Sequence, residues 1–210
     1  MENAAVYGDA KTAIREKAYG IWQKYTWADY GRYVRMTAAG LAALNLRRGE
    51  NLCMVVHNHP EWLFSELAAH VLGATTLNLF TSSIADELAF SIKRINSPVV
   101  VVQDQEQVDK LLEIKEKLPQ TRKVVYIDPT GMTSYRDDPW LISYAGLLKL
   151  GEKYIEDHPG FIDAEINRGR PDDIAVMIQT SGTTGVPKLA MLSHRNLTTM
   201  ALQWVDDTKI

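Results

Sequence analysis

Cysteine occurs once in the 210 residues, as Cys53, so an internal disulfide is excluded and a reducing compartment suits the chain. Long apolar runs are missing too. No segment approaches the roughly 20 consecutive apolar residues that a bilayer-spanning helix requires. Basic excess is absent: 23 Lys and Arg against 26 Asp and Glu leave a net charge of −3, so no nucleic-acid partner is expected. The opening Met1-Glu2-Asn3-Ala4-Ala5 lacks the basic-then-apolar pattern of a secretory signal. A cytoplasmic, soluble protein is the resulting expectation, with peripheral contact to a membrane an open alternative that the sequence does not show. With 46% apolar and 23% charged residues, the composition is that of an ordinary folded protein, which argues against disorder.

What is present alternates. Val34, Ala38, Leu41 and Ala42 recur at helical spacing and stop at Arg47-Arg48-Gly49-Glu50. Leu52–Val56 reads as a short apolar strand, Glu61–Leu72 as a helix behind Pro60, and Thr75–Phe80 as a strand. Ser83-Ile84-Ala85-Asp86 resembles a capping box that opens a helix through about Ile95. Val99–Val102 is a β-branched strand, Gln105–Leu118 an amphipathic helix, and Val124–Ile127 another strand. Strands separated by helices require crossover connections, so the fold class is α/β, with a mainly parallel sheet covered by helices. Their unbroken apolar character fits strands buried on both faces. Residues 131–139 read as a surface loop, followed by helices over Trp140–Lys149 and Glu152–His158. The polar connector 167–173 is the expected junction between an N-terminal unit, residues 1–170, and the start of the next, 171–210. Ile174–Gln179 and Leu189–Leu192 read as strands, with Ser193 capping a last helix from His194.

Between those last strands lies Thr180-Ser181-Gly182-Thr183-Thr184-Gly185-Val186-Pro187-Lys188. Gly182 and Gly185 let the backbone approach a phosphate closely. The four hydroxyls offer donors, and Lys188 supplies one cation where negative charge builds on a leaving pyrophosphate. This is not a Walker A loop, because Pro187 precedes Lys188 and Leu189 follows it.

The run resembles the phosphate loop of the adenylate-forming superfamily: acyl-CoA synthetases, luciferases and peptide-synthetase adenylation domains. Tyr25-Thr26-Trp27-Ala28-Asp29-Tyr30, Asn58-His59-Pro60-Glu61-Trp62 and Leu192-Ser193-His194-Arg195-Asn196-Leu197 are similar to other segments of that family, in the same order. Residues 101–110 and Asp137-Asp138-Pro139 look most like long-chain fatty acyl-CoA synthetases of the bubblegum-like branch. The resemblance implies that the chain is the N-terminal part of the large domain of such an enzyme. It also implies a two-step reaction: a carboxylate, a fatty acid here, attacks Mg2+-bound ATP to give an acyl adenylate, and coenzyme A then displaces AMP. Thr180, Ser181, Gly182, Thr183, Thr184, Gly185 and Lys188 would cradle the β- and γ-phosphates, positioning charge without covalent chemistry. Where the family carries glycine after the loop lysine, this chain has Leu189, whose side chain would crowd the loop's return. The adenine-stacking aromatic, the metal-binding glutamate, the hinge and the catalytic lysine are expected beyond residue 210. Accordingly no catalytic residue and no metal ligand is assigned within the chain, and the isolated segment is expected to be inactive. A non-catalytic nucleotide- or partner-binding protein, and a phosphoryl transferase using the loop differently, are alternative readings.

Other candidates have plainer explanations. His57 and His59 lack a third ligand at suitable spacing and read as loop histidines. His194 belongs to the first turn of a helix. Cys53, within Leu52-Cys53-Met54-Val55-Val56, reads as a small buried hydrophobe. Segment 104–117 is a solvated helix face with opposite charges at helical spacing, such as Asp109 and Glu113 against Lys117, and the five tryptophans read as core or partly buried packing.

Overall fold

A computed structural model of the chain describes residues 2–180 and 187–208. A short helix α1 (Glu2–Tyr7) precedes the antiparallel hairpin β1 (Thr12–Ala18) and β2 (Ile21–Thr26), which forms a sheet of its own. There follow α2 (Trp27–Ala43), β3 (Asn51–Val55), α3 (Pro60–Val71), β4 (Thr75–Leu79), α4 (Ala85–Arg94), β5 (Val99–Val102), α5 (Gln105–Glu113) and β6 (Lys123–Tyr126). The chain continues through β7 (Leu141–Ser143), α6 (Tyr144–Asp157), α7 (Phe161–Arg168), β8 (Ile174–Thr180), β9 (Lys188–Ser193) and α8 (His194–Thr208). The main sheet runs β7-β6-β5-β3-β4-β8-β9; all pairs are parallel except β8 with β9. This is the expected α/β architecture.

Successive side chains on a strand point to opposite faces, and each face here meets helices. Cys53, Val55, Val100 and Val102 pack with Leu88 and Ile92 of α4 and Val108 and Leu111 of α5. Leu52, Met54, Val99 and Val101 pack on the other face with Ala38 and Leu41 of α2, Ala68 and Ala69 of α3, and Leu147 of α6. Cys53 is wholly buried, and that burial pushes its thiol well above the usual range, so it behaves as the inert hydrophobe expected.

Several local expectations need correction. The capping box is not at Ser83–Asp86, because α4 begins after Ile84, which makes no side-chain cap. It forms instead at α2, where Asp29 N–H donates to Thr26 Oγ1 and Thr26 N–H donates to Asp29 Oδ2, each at 3.1 Å. Trp140 is not helical: it is buried with its Nε1 donating to Thr121 O, and the strand β7 follows. The two helices expected after it are one, α6, unbroken through Gly151. That glycine is a contact surface. A Cβ on it would lie 1.9 Å from Met36 O of α2, and one on Gly40 would lie 2.4 Å from Leu147 O, so the two backbones approach too closely for any side chain. Lys117 lies past the end of α5 and pairs with Asp86 at 2.5 Å, while Lys110 takes the helical pairing, with Glu106. Trp22 and Trp204 are 61% and 65% exposed, unlike the packed tryptophans expected. Among the described residues no helix is long and apolar enough to cross a membrane.

Candidate functional site

The carboxyl ends of the parallel strands define one edge of the sheet. β3 leads to α3 on one face while its neighbours β4 and β5 lead to α4 and α5 on the other, and divergence of this kind opens a crevice where ligands bind. At that edge His57 N–H donates to Gln103 Oε1 at 2.9 Å, and the His57 ring meets Thr81 Oγ1 at 2.8 Å. His59 Nδ1 meets Glu16 Oε1 at 2.8 Å, so the two rings are engaged separately, as suits loop histidines. Among the described residues no three His, Cys, Asp or Glu side chains gather as metal ligands.

β8 joins this edge. It pairs parallel to β4 through Thr76–Val176 and Leu77–Met177, and so brings Thr180 out at the carboxyl side of the sheet. β9 returns antiparallel, with Thr180 opposite Lys188 as the last pair. Thr180 Oγ1 reaches Lys188 O at 3.4 Å, a weak bond across the mouth of the hairpin. Of the seven residues expected to hold phosphate, Thr180 and Lys188 are therefore brought face to face. Ser181, Gly182, Thr183, Thr184 and Gly185 lie outside the described residues.

Lys188 is exposed, and among the described residues no carboxylate lies within ion-pair distance of it. Its neighbour Leu189 pairs with Gln179 and turns inward, packing with Met177 against the α4–α5 face of the core. Arg94, in the last turn of α4, donates through Nη1 to the carbonyl oxygen of Pro187. No local pattern in the sequence linked Arg94 to a loop 93 positions downstream; only the sheet order does. A hairpin mouth where Lys188 stands beside the peptide held by the Arg94 guanidinium, neither cation balanced by a nearby acid among the described residues, suits an anion.

α8 begins as expected. Asn196 N–H donates to Ser193 Oγ at 3.3 Å, and Arg195 pairs with Asp172 at 2.7 Å. His194 stands edge-on to His70, with ring centroids 5.0 Å apart, on the wall of a cavity of about 730 Å3 that Trp27, Tyr30 and Val71 also line. His70 meets Ala175 O at 3.0 Å. Burial, followed by the nearby His194, lowers its pKa from 6.5 to about 4, so the ring is neutral at pH 7.

A family model described as AMP-binding enzyme matches residues 1–210. Long-chain-fatty-acid–CoA ligase ACSBG1 of Bos taurus is 31% identical over 193 residues, which are 91% of this chain and 26% of that protein. Among solved structures, ATP-bound MatB from Rhodopseudomonas palustris matches with a TM-score of 0.67 at 29% identity, over 88% of this chain and 32% of that one. The anthranilate CoA ligase AuaEII in complex with anthranoyl-AMP has a TM-score of 0.71 at 21% identity, over 87% and 32%. At that identity the likeness is one of fold. The chain spans about a quarter of the length of the curated relatives it matches.

Proposed function

The chain belongs to the AMP-binding enzyme family, and on that premise we propose that it is the phosphate-gripping segment of an ATP-dependent acyl-CoA synthetase acting on long-chain fatty acids. The observation that carries the reading is the β8–β9 hairpin. Its mouth, Thr180 opposite Lys188, opens at the carboxyl edge of a parallel sheet and presents a lysine without a counter-ion among the described residues. The substrate class rests on the long-chain-fatty-acid–CoA ligases among the relatives, and the ATP on MatB, which was solved with it.

In this reading Thr180, Ser181, Gly182, Thr183, Thr184, Gly185 and Lys188 hold the β- and γ-phosphates while a fatty carboxylate attacks the α-phosphate. Lys188 offsets charge as pyrophosphate leaves, and the hydroxyls and main-chain N–H groups of the loop orient it. Mg2+ would supply further charge neutralisation, and the described residues gather no ligand set for it. Coenzyme A is the second substrate in the same proposal. The division of the chain at residue 170 is likewise proposed, with β8 as the first element of the second unit although it hydrogen-bonds to β4.

The test is fatty-acid-dependent exchange of pyrophosphate into ATP, measured on a full-length enzyme containing this segment. Exchange that needs fatty acid and is lost in Lys188→Ala is the expected result. Release of γ-phosphate at the same rate with or without fatty acid would instead favour a phosphoryl transferase. Nucleotide binding with neither reaction would favour a non-catalytic binder.

A further inference from the structure

A lysine serves a polyphosphate only if its Cα–Cβ bond points at the ligand, and that direction is set by the two planar peptides flanking its Cα. Both are held at Lys188. The carbonyl of the peptide after it accepts from Thr180 Oγ1, and the carbonyl of the peptide before it, on Pro187, accepts from Arg94 Nη1. We propose that Arg94 is a positioning residue for Lys188, clamping the 187–188 peptide so that the ammonium faces the bound phosphates. The inference rests on the phosphate-loop reading above and adds to it a residue from a different element.

The clamp is well mounted. Leu88, Ala89 and Ile92 anchor α4 in the core at 0%, 6% and 0% exposure, so the helix delivers Arg94 from a fixed base. The Phe90 ring lies 5.9 Å from the guanidinium carbon, one turn back on the same helix. Pro187 contributes from its own side: its ring restricts φ and it has no N–H, leaving the carbonyl as its one main-chain hydrogen-bonding group. The guanidinium has five donors, and no carboxylate among the described residues lies within ion-pair distance, so the bond to Pro187 does not compete with an ion pair. Arg94 thereby acts through the lysine's backbone while its own charge stays beside the loop.

Isothermal titration of inorganic tripolyphosphate into the 210-residue chain separates these roles. Arg94, Lys93 and Lys188 are all exposed, so their substitution leaves the core intact. Lys188→Ala and Arg94→Gln are each expected to weaken binding by roughly three- to tenfold, the range for losing a charge-assisted contact at an exposed site. Lys93→Gln removes the same charge from the same helix without touching the loop, and is expected to change binding less than about twofold. The deciding result is the double variant: if Arg94 works through Lys188, adding Arg94→Gln to Lys188→Ala costs no more than Lys93→Gln does, the share due to its charge alone. An undiminished loss in that background, or a loss in Arg94→Gln no larger than in Lys93→Gln, overturns the positioning role and leaves the loop reading standing. No tripolyphosphate binding, or none lost in Lys188→Ala, overturns the loop reading itself and the clamp with it.

Discussion

Replacing Gly151 with alanine sets two effects against each other, and the structure decides the sign. By helix propensity alone, alanine inside α6 should stabilise the protein by about 1 kcal/mol. The added Cβ, however, would sit 1.9 Å from Met36 O and 3.0 Å from Gly40 N, both main-chain atoms of α2. Neither can rotate away, so α6 must lift off α2 by about the 1.5–2.1 Å that separates this contact from ordinary van der Waals distance. Overpacking of that kind costs about 1–3 kcal/mol and occasionally more. The shift also stretches the buried bond between Thr37 Oγ1 and Tyr144 OH, now 2.7 Å, for about 1 kcal/mol more. Against the propensity gain the net destabilisation is about 1–3 kcal/mol, or a fall in Tm of roughly 2–12 °C for a chain of this size. Urea unfolding followed by tryptophan fluorescence measures it, with exposed Glu152→Ala on the same helix as the reference. An unchanged or raised midpoint for Gly151→Ala would refute the close-contact argument.

Two further outcomes follow from single residues. Thr26→Ala removes one half of the capping box at α2 and is expected to cost about 1 kcal/mol, read as a fall in the urea midpoint; a loss below about 0.3 kcal/mol would contradict the cap. His70 is held neutral by burial, its pKa lowered from 6.5 to about 4. The unfolded chain therefore binds the proton more readily, so this contribution to stability is complete above pH 6.5 and is lost as the pH falls to about 4. After discounting for a half-buried position it amounts to about 1–2 kcal/mol. His70→Gln should flatten the pH dependence of the urea midpoint across that window, and an identical slope in both proteins would contradict the assignment.

The parallel core was legible in sequence because its strands are short unbroken apolar runs. Val99–Val102, with four β-branched residues in a row, has no helical periodicity to confuse it, and its neighbours on both faces explain why all four are buried. Strand β7 was hidden for the opposite reason. It has three residues, Leu141, Ile142 and Ser143, and only pairing with β6 makes them a strand. The expected gap between helices at Lys149 and Glu152 contains Gly151, whose low helix propensity is a local property, whereas its role depends on α2, more than a hundred residues earlier. At the candidate site the residue types were legible and the arrangement was not. The sequence singled out Lys188 as the candidate cation, but the pairing with Thr180 is a matter of hairpin register, and the contact from Arg94 depends on the last turn of α4 coming within reach of Pro187.

The central claim is that the segment from Thr180 to Lys188 grips the phosphates of ATP. Backbone amide chemical shifts of the 210-residue chain, followed by NMR during titration with Mg-ATP, test it most directly. Saturable shifts centred on Thr180, Lys188 and the residues between them are expected, with smaller changes at Leu189 and Arg94 and none at the β1–β2 hairpin. Shifts confined to Trp27, Tyr30, His70 and His194 around the separate cavity, or no saturable shift at all, would contradict it.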